Sequence, residues 1–89
     1  MKRFLTGDTV FFTWTNSGVA PSQISSALLD KDDVLVNSMT AVSSGNGHYF
    51  APHTLPNTPG FYVNEWKWVL DSYPGRARQR VRGTTGEAD

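Results

Sequence analysis

Four arginines at alternate positions, Arg76, Arg78, Arg80 and Arg82, are the sharpest chemical feature of this 89-residue chain. On a strand, alternate residues share one face, so the four guanidinium groups make a stripe on the order of 20 Å long. Such a stripe can grip phosphates or the carboxylates of an acidic protein surface. With Lys67 included, five of the eight basic residues fall between positions 67 and 82. The competing reading is that charge on an edge strand blocks unwanted sheet-to-sheet pairing and is answered by Asp71 and Glu65. Eight Asp and Glu balance the basic residues. That neutrality argues against a dedicated nucleic-acid binder and against attraction to an anionic membrane.

The remaining reactive side chains suggest no catalysis. His48 and His53 are five apart, which puts them on opposite faces of a regular strand and denies them a shared metal. The pattern predicts one exposed and one packed or hydrogen-bonded histidine. Asp30, Asp32 and Asp33 are close enough to suggest calcium, which takes six to eight oxygen ligands. Lys31 interrupts them and no glutamate closes a twelve-residue loop, so a solvated turn is expected. With no cysteine, disulfides, thiolate metal sites and cysteine nucleophiles are excluded. No Gly-x-Ser-x-Gly elbow, P-loop or His-Glu-x-x-His is present. The expectation is no catalytic residue, no metal and no cofactor.

What positions the arginines must be strands. Thr9 to Thr15 is a run of β-branched and aromatic residues with Val10, Phe12 and Trp14 on one face. Further segments run from Gln23 to Leu29, from Val34 to Val42 with a break, from His48 to Leu55, from Phe61 to Leu70 and from Arg76 to Arg82. Asp30 to Asp33, Ser43 to Gly47, Pro56 to Gly60 and Asp71 to Gly75 supply the turns. Six or seven strands at this spacing predict an all-β antiparallel sandwich or small barrel. In the last hairpin the arginines face out, because four desolvated guanidinium groups would be prohibitive. An even-numbered loop, Ser72 to Gly75, then pairs Asp71 with Arg76, Glu65 with Arg82 and Trp66 with Val81. Phe61, Val63 and Val69 fall on the arginine face and are expected to form one apolar patch with a cationic border, the composition of an interface.

Gly7-Asp8-Thr9-Val10 opening a strand, Asn46-Gly47-His48-Tyr49, and Pro59-Gly60-Phe61-Tyr62 entering a late strand resemble the immunoglobulin-like sandwiches of bacteria and their phages. The likeness covers about residues 7–82, with Asp30-Lys31-Asp32-Asp33 standing where the family often has glycine. It implies an immunoglobulin-like sandwich of about seven strands, and a Tyr62 hydroxyl that bonds back to the backbone at a corner between sheets. It also implies a small non-enzymatic virion protein of head, neck or tail, oligomeric and joined to other assembly proteins. The candidate interface is Phe61, Val63, Lys67, Val69, Arg76, Arg78, Arg80 and Arg82. A carbohydrate-binding or adhesion module is the alternative, so a sugar is the competing ligand. Residues 1–82 are expected to be the domain and 83–89 a polar tail held by a partner. The first residues lack the apolar run of a secretory signal, and no segment reaches the length of a membrane span. Synthesis in the cytoplasm is therefore expected, and residence in a virion is what the resemblance implies.

Overall fold

The computed structural model describes residues 2–16, 18 and 20–84, and every described element is a strand. In chain order these are β1 (Lys2–Leu5), β2 (Thr9–Thr15), β3 (Gln23–Asp30), β4 (Leu35–Thr40), β5 (Val42–Gly45), β6 (His48–Thr54), β7 (Gly60–Leu70) and β8 (Tyr73–Thr84). Two sheets form, one of five strands ordered β1-β8-β7-β3-β4 and one of three ordered β2-β6-β5. All pairings are antiparallel except that of β1 with β8. The strands alternate as the sequence predicts. In β2, Val10 and Phe12 are buried while Thr9, Phe11 and Thr13 are exposed. Val10, Phe12 and Ala51 from the small sheet meet Ile24, Leu28, Tyr62, Trp66 and Val81 from the large one in a single core. Burying each large apolar side chain contributes about 1.5–3 kcal/mol.

Turn chemistry fixes most junctions. Asp33 and Asn46 adopt positive φ of 61° and 55°, a region that Asp and Asn tolerate better than most side chains. Asp30 Oδ1 accepts from the backbone N–H groups of Asp32 at 2.8 Å and Val34 at 3.0 Å. Its carboxylate is thus committed to shaping the β3–β4 turn. The Tyr62 hydroxyl donates to the Thr58 carbonyl at 2.6 Å, tying the start of β7 to the loop before it.

The last hairpin departs from the expected register. Leu70 pairs with Tyr73 around a two-residue turn, Asp71-Ser72, whose φ angles are 49° and 68°. Two positive φ values match the twist of a tight hairpin, so Tyr73, Pro74 and Gly75 belong to β8. Glu65 therefore faces Arg78 rather than Arg82, Trp66 faces Ala77, and Val81 faces Tyr62. Both loops have an even residue count, so the faces are unchanged. Pro74 is tolerated because β1 flanks β8 only from Val81 onward, leaving this end of the strand open on one side. Gly75 serves the fold by its size, since a Cβ there would lie 2.2 Å from the Trp68 indole. Gly75→Ala is expected to cost about 1–3 kcal/mol, read as a lower urea midpoint at unchanged m value.

Other boundaries also shift. The segment read as 34–42 divides at Ala41 between the two sheets, with β4 in one and β5 in the other. β1 makes an eighth strand, which two leading cations conceal from a hydropathy reading. Gly83 and Thr84 complete β8 beside Phe4 and Leu5 instead of starting a tail. The rest of the expected tail, residues 85–89, lies outside the described residues.

Candidate interaction face

The outer face of the five-stranded sheet carries all eight residues singled out from the sequence. Register sets them in cross-strand rows. Arg82 faces Phe61, Arg80 faces Val63, Arg78 faces Glu65, Arg76 faces Lys67, and Pro74 faces Val69. Beyond β7 the same rows continue onto Leu29 opposite Val63, Ala27 opposite Glu65 and Ser25 opposite Lys67. The four arginines and Lys67 are solvent-exposed.

The expected single apolar patch is divided. Val69 lies six residues from Val63 on β7, roughly 20 Å away, and the charged Glu65 and Lys67 rows intervene. Phe61 and Val63 instead join Leu29 and, across β3, Leu35 of β4. Phe61 is 45% and Leu35 57% exposed. A cleft of about 330 Å³ lined by Lys31, Asp33, Phe61, Val63, Arg78 and Arg80 opens on this half. Leu29, Lys31 and Leu35 escaped the sequence reading because only strand pairing brings them beside β7.

The arginines are not equivalent. Arg78 Nε donates to Glu65 Oε2 at 2.8 Å and its Nη1 lies 3.7 Å from Asp33 Oδ1. Lys67 Nζ is 3.5 Å from Glu65 Oε1. Glu65 is only 7% exposed, and the Arg78 hydrogen bond holds its carboxyl below the usual carboxylate range against the opposing effect of burial. Arg78 is thus spent on neutralising a buried acid. Arg82 stands over the Phe61 ring, 5.8 Å from its centroid, a cation–π contact that holds the ring at the border of the patch. Among the described residues, Arg76, Arg80 and Arg82 enter no ion pair, although the Arg76 charge also helps to hold the Glu65 carboxyl low. Arg80 and Arg82, at the Phe61 and Val63 end, therefore carry charge that no ion pair neutralises.

At the other end, a shallow cleft of about 510 Å³ runs beside Trp68, Lys67, Val69, Arg76 and Gln23. Trp68 packs against Gly75, and its ring centroid is 5.1 Å from that of Trp14. Both contacts limit how much indole face the cleft can offer.

A second constellation lies in the core. His48 is exposed, whereas His53 is 1% exposed on the inner face. Asn37 Nδ2 donates to His53 Nδ1 at 3.1 Å, so His53 Nε2 carries the proton and donates to Ser26 Oγ at 2.8 Å. Ser26 Oγ donates to Asn64 Oδ1. The Asn64 amide nitrogen points to Gln79 Oε1 at 3.5 Å, and Trp66 Nε1 donates to the same oxygen at 3.1 Å. The Ser-His-Asn grouping has the connectivity of a hydrolase triad with the polarity reversed. A nucleophilic serine must give its proton to Nε2, whereas here Nε2 donates and Ser26 is fully buried. The chain is a polar brace that links β6 of one sheet to β3, β4 and β7 of the other. Comparison with protein-family models, curated proteins and solved structures returns no match for this chain.

Proposed function

We propose that this chain is a non-enzymatic assembly module of immunoglobulin-like fold, a component of a phage or prophage particle. In this reading it docks an acidic protein surface on the outer face of its five-stranded sheet. The observation that carries the proposal is the strip of Phe61, Val63, Leu29 and Leu35 bordered by Arg80 and Arg82. An apolar centre with a cationic rim suits burial against a partner whose carboxylates fix orientation.

Strand distribution supports the immunoglobulin-like part of the reading. The second, sixth and fifth strands share one sheet, as strands B, E and D do in that fold. The third, seventh and eighth share the other, as C, F and G do, with the fourth beside them. The first strand lies next to the eighth instead of the second. Tyr62 stands near the start of the strand equivalent to F, and its hydroxyl reaches a carbonyl four residues upstream. Two residues further on, where antibody domains place a core cysteine, is Asn64, a member of the polar brace.

The test substitutes two of the three arginines that enter no ion pair. Arg76→Glu with Arg80→Glu is expected to leave the circular dichroism unchanged and to lower the melting temperature only slightly, through loss of the Arg76 charge that helps keep Glu65 ionised. The variant should be absent from sedimented particles of the phage or prophage encoding the chain. Incorporation at the wild-type level would remove the proposal. Arg78 is unsuitable for this experiment, because its loss strands Glu65. A second reading, a carbohydrate-binding module, rests on the cleft beside Trp68. Tryptophan fluorescence titrated with the saccharides of a glycan array separates the two, and an unchanged signal removes the sugar reading.

A further inference from the structure

We infer that the free edge of β8, from Pro74 to Arg80, is a strand-addition site that takes an extended acidic segment of the partner protein, laid in line with β1. The inference rests on the acidic-partner reading above and specifies the form in which the partner's carboxylates arrive.

The edge is open over most of its length. β1 pairs with β8 only from Val81 to Thr84, and among the described residues no other strand pairs with β8 on that side. In an antiparallel ladder only alternate residues exchange hydrogen bonds with a given neighbour. The two-residue turn makes Leu70 and Tyr73 such a pair, so the odd-numbered residues of β8 bond to β7. The even-numbered ones turn their backbone the other way, as the Thr84 carbonyl shows by accepting from the Thr6 N–H at 2.8 Å on the β1 side. Arg76 and Arg78 therefore hold both N–H and C=O toward the free edge. The sandwich is also unclosed behind it. Gln79 is on the inner face, yet it is exposed. A cleft of about 160 Å³ between β2 and β8 reaches Phe4, Val10, Phe12 and Val81, an apolar seat for the inward side chains of an added strand.

The charges select the occupant. A strand laid antiparallel along this edge sets its outward side chains beside Arg76, Arg78 and Arg80. On the β7 side Arg78 already has Glu65, whereas Arg76 faces the cation Lys67 and Arg80 faces Val63. Neither Arg76 nor Arg80 enters an ion pair. Arg82 is outside the site, because β1 covers it. Opposite charges on directly opposed residues stabilise a ladder, and like charges destabilise it. Two carboxylates spaced four residues apart complete the Arg76 and Arg80 rows. Two β8 edges set together would oppose arginine to arginine, which excludes the same edge of a second copy. The positions next to each acid face the seam and are apolar. The recognised pattern is thus acid, apolar, any residue, apolar, acid. Main-chain hydrogen bonds supply affinity and the alternate side chains specificity.

Titration of the full nitrogen-15-labelled chain with the blocked peptide Glu-Val-Thr-Val-Glu-Thr, to about 1 mM, tests the inference. The expected result is saturable amide shifts along residues 74–80 and slowed amide exchange at Arg76 and Arg78. Val-Glu-Glu-Val-Thr-Thr keeps the composition and charge but puts one acid on the wrong face, and should bind about tenfold more weakly. N-methylation of the first Thr and the second Glu, whose N–H groups meet the Arg78 and Arg76 carbonyls, should abolish binding. N-methylation of both valines should leave it intact. Arg76→Glu with Arg80→Glu should weaken binding of the first peptide about tenfold. No binding at about 1 mM, equal binding of the rearranged peptide, or binding that survives methylation at Thr and Glu would each overturn the inference. Equal binding of the two sequences would leave the acidic-partner reading standing, since charge attraction would then suffice.

Discussion

Asn64→Ala is expected to lower the melting temperature by about 10–20 °C, from a loss of about 2–3 kcal/mol in a domain of this size. Asn64 is fully buried, accepts from Ser26 Oγ and directs its amide toward Gln79. Truncation leaves a cavity and strands the Ser26 hydroxyl proton in a dry core. The physical point is the asymmetry between removing one partner and removing all of them. In the combined variant Ser26→Ala, His53→Leu and Asn64→Leu, the one buried donor of the brace that remains, Trp66 Nε1, keeps Gln79 Oε1 as its acceptor, while exposed Asn37 can turn to water. That variant is expected to regain most of the loss in thermal melts. If Asn64→Ala and the triple variant melt together, the brace is not what the core depends on at this point.

Acidification below pH 6.5 should destabilise the protein in two stages, the first belonging to His53. Burial holds the His53 imidazole below its ordinary value of 6.5. The unfolded chain therefore takes up a proton as the pH falls through 6.5 while the folded chain does not. Stability present above 6.5 is lost on the way down to the folded-state value, by at most about 1.4 kcal/mol per pH unit for one proton. Protonation would also give Nδ1 a hydrogen, turning the acceptor of the Asn37 contact into a donor. The second stage begins near 4.5. There the unfolded chain protonates its glutamate while Arg78 keeps Glu65 ionised, so this contribution is lost as the pH drops further. Urea midpoints at pH 7.5, 6.0, 5.0 and 4.0 should resolve both stages. His53→Gln should abolish the first and retain the second. A wild-type midpoint that is flat between 7.5 and 5.0 would show that His53 is not held neutral in the core.

The acid dependence and the docking faces rest on different kinds of information. Side-chain parity was open to reading in the residues themselves. A period of two decides which residues share a face, whatever strand lies alongside. For that reason Val10 and Phe12, the opposed histidines, and the shared face of Phe61, Val63, Lys67 and the arginines follow from spacing alone. The Tyr62 hydroxyl bond was anticipated through resemblance, and its partner at Thr58 is local in sequence. Strand length and register were less accessible. Asp71-Ser72 carries no glycine, and Tyr73-Pro74-Gly75 reads locally as a turn, yet the Trp68 ring requires Gly75 as a vacant place across the ladder.

Long-range pairing decided the rest. The hydrogen-bonded pairs Asn37–His53, Ser26–His53 and Ser26–Asn64 are 16, 27 and 38 positions apart in the chain, and no local pattern announces that they meet. Likewise Leu29 becomes a neighbour of Val63, and Leu35 of Leu29, only through the order of the large sheet. Alternation and turn propensity are properties of a few adjacent residues, so the sequence by itself determined an all-strand chain with its arginines outward. Which strands sit side by side depends on the free energy of closing two sheets over one core, and only the tertiary structure decided that Arg78 is spent on Glu65 while Arg76, Arg80 and Arg82 enter no ion pair.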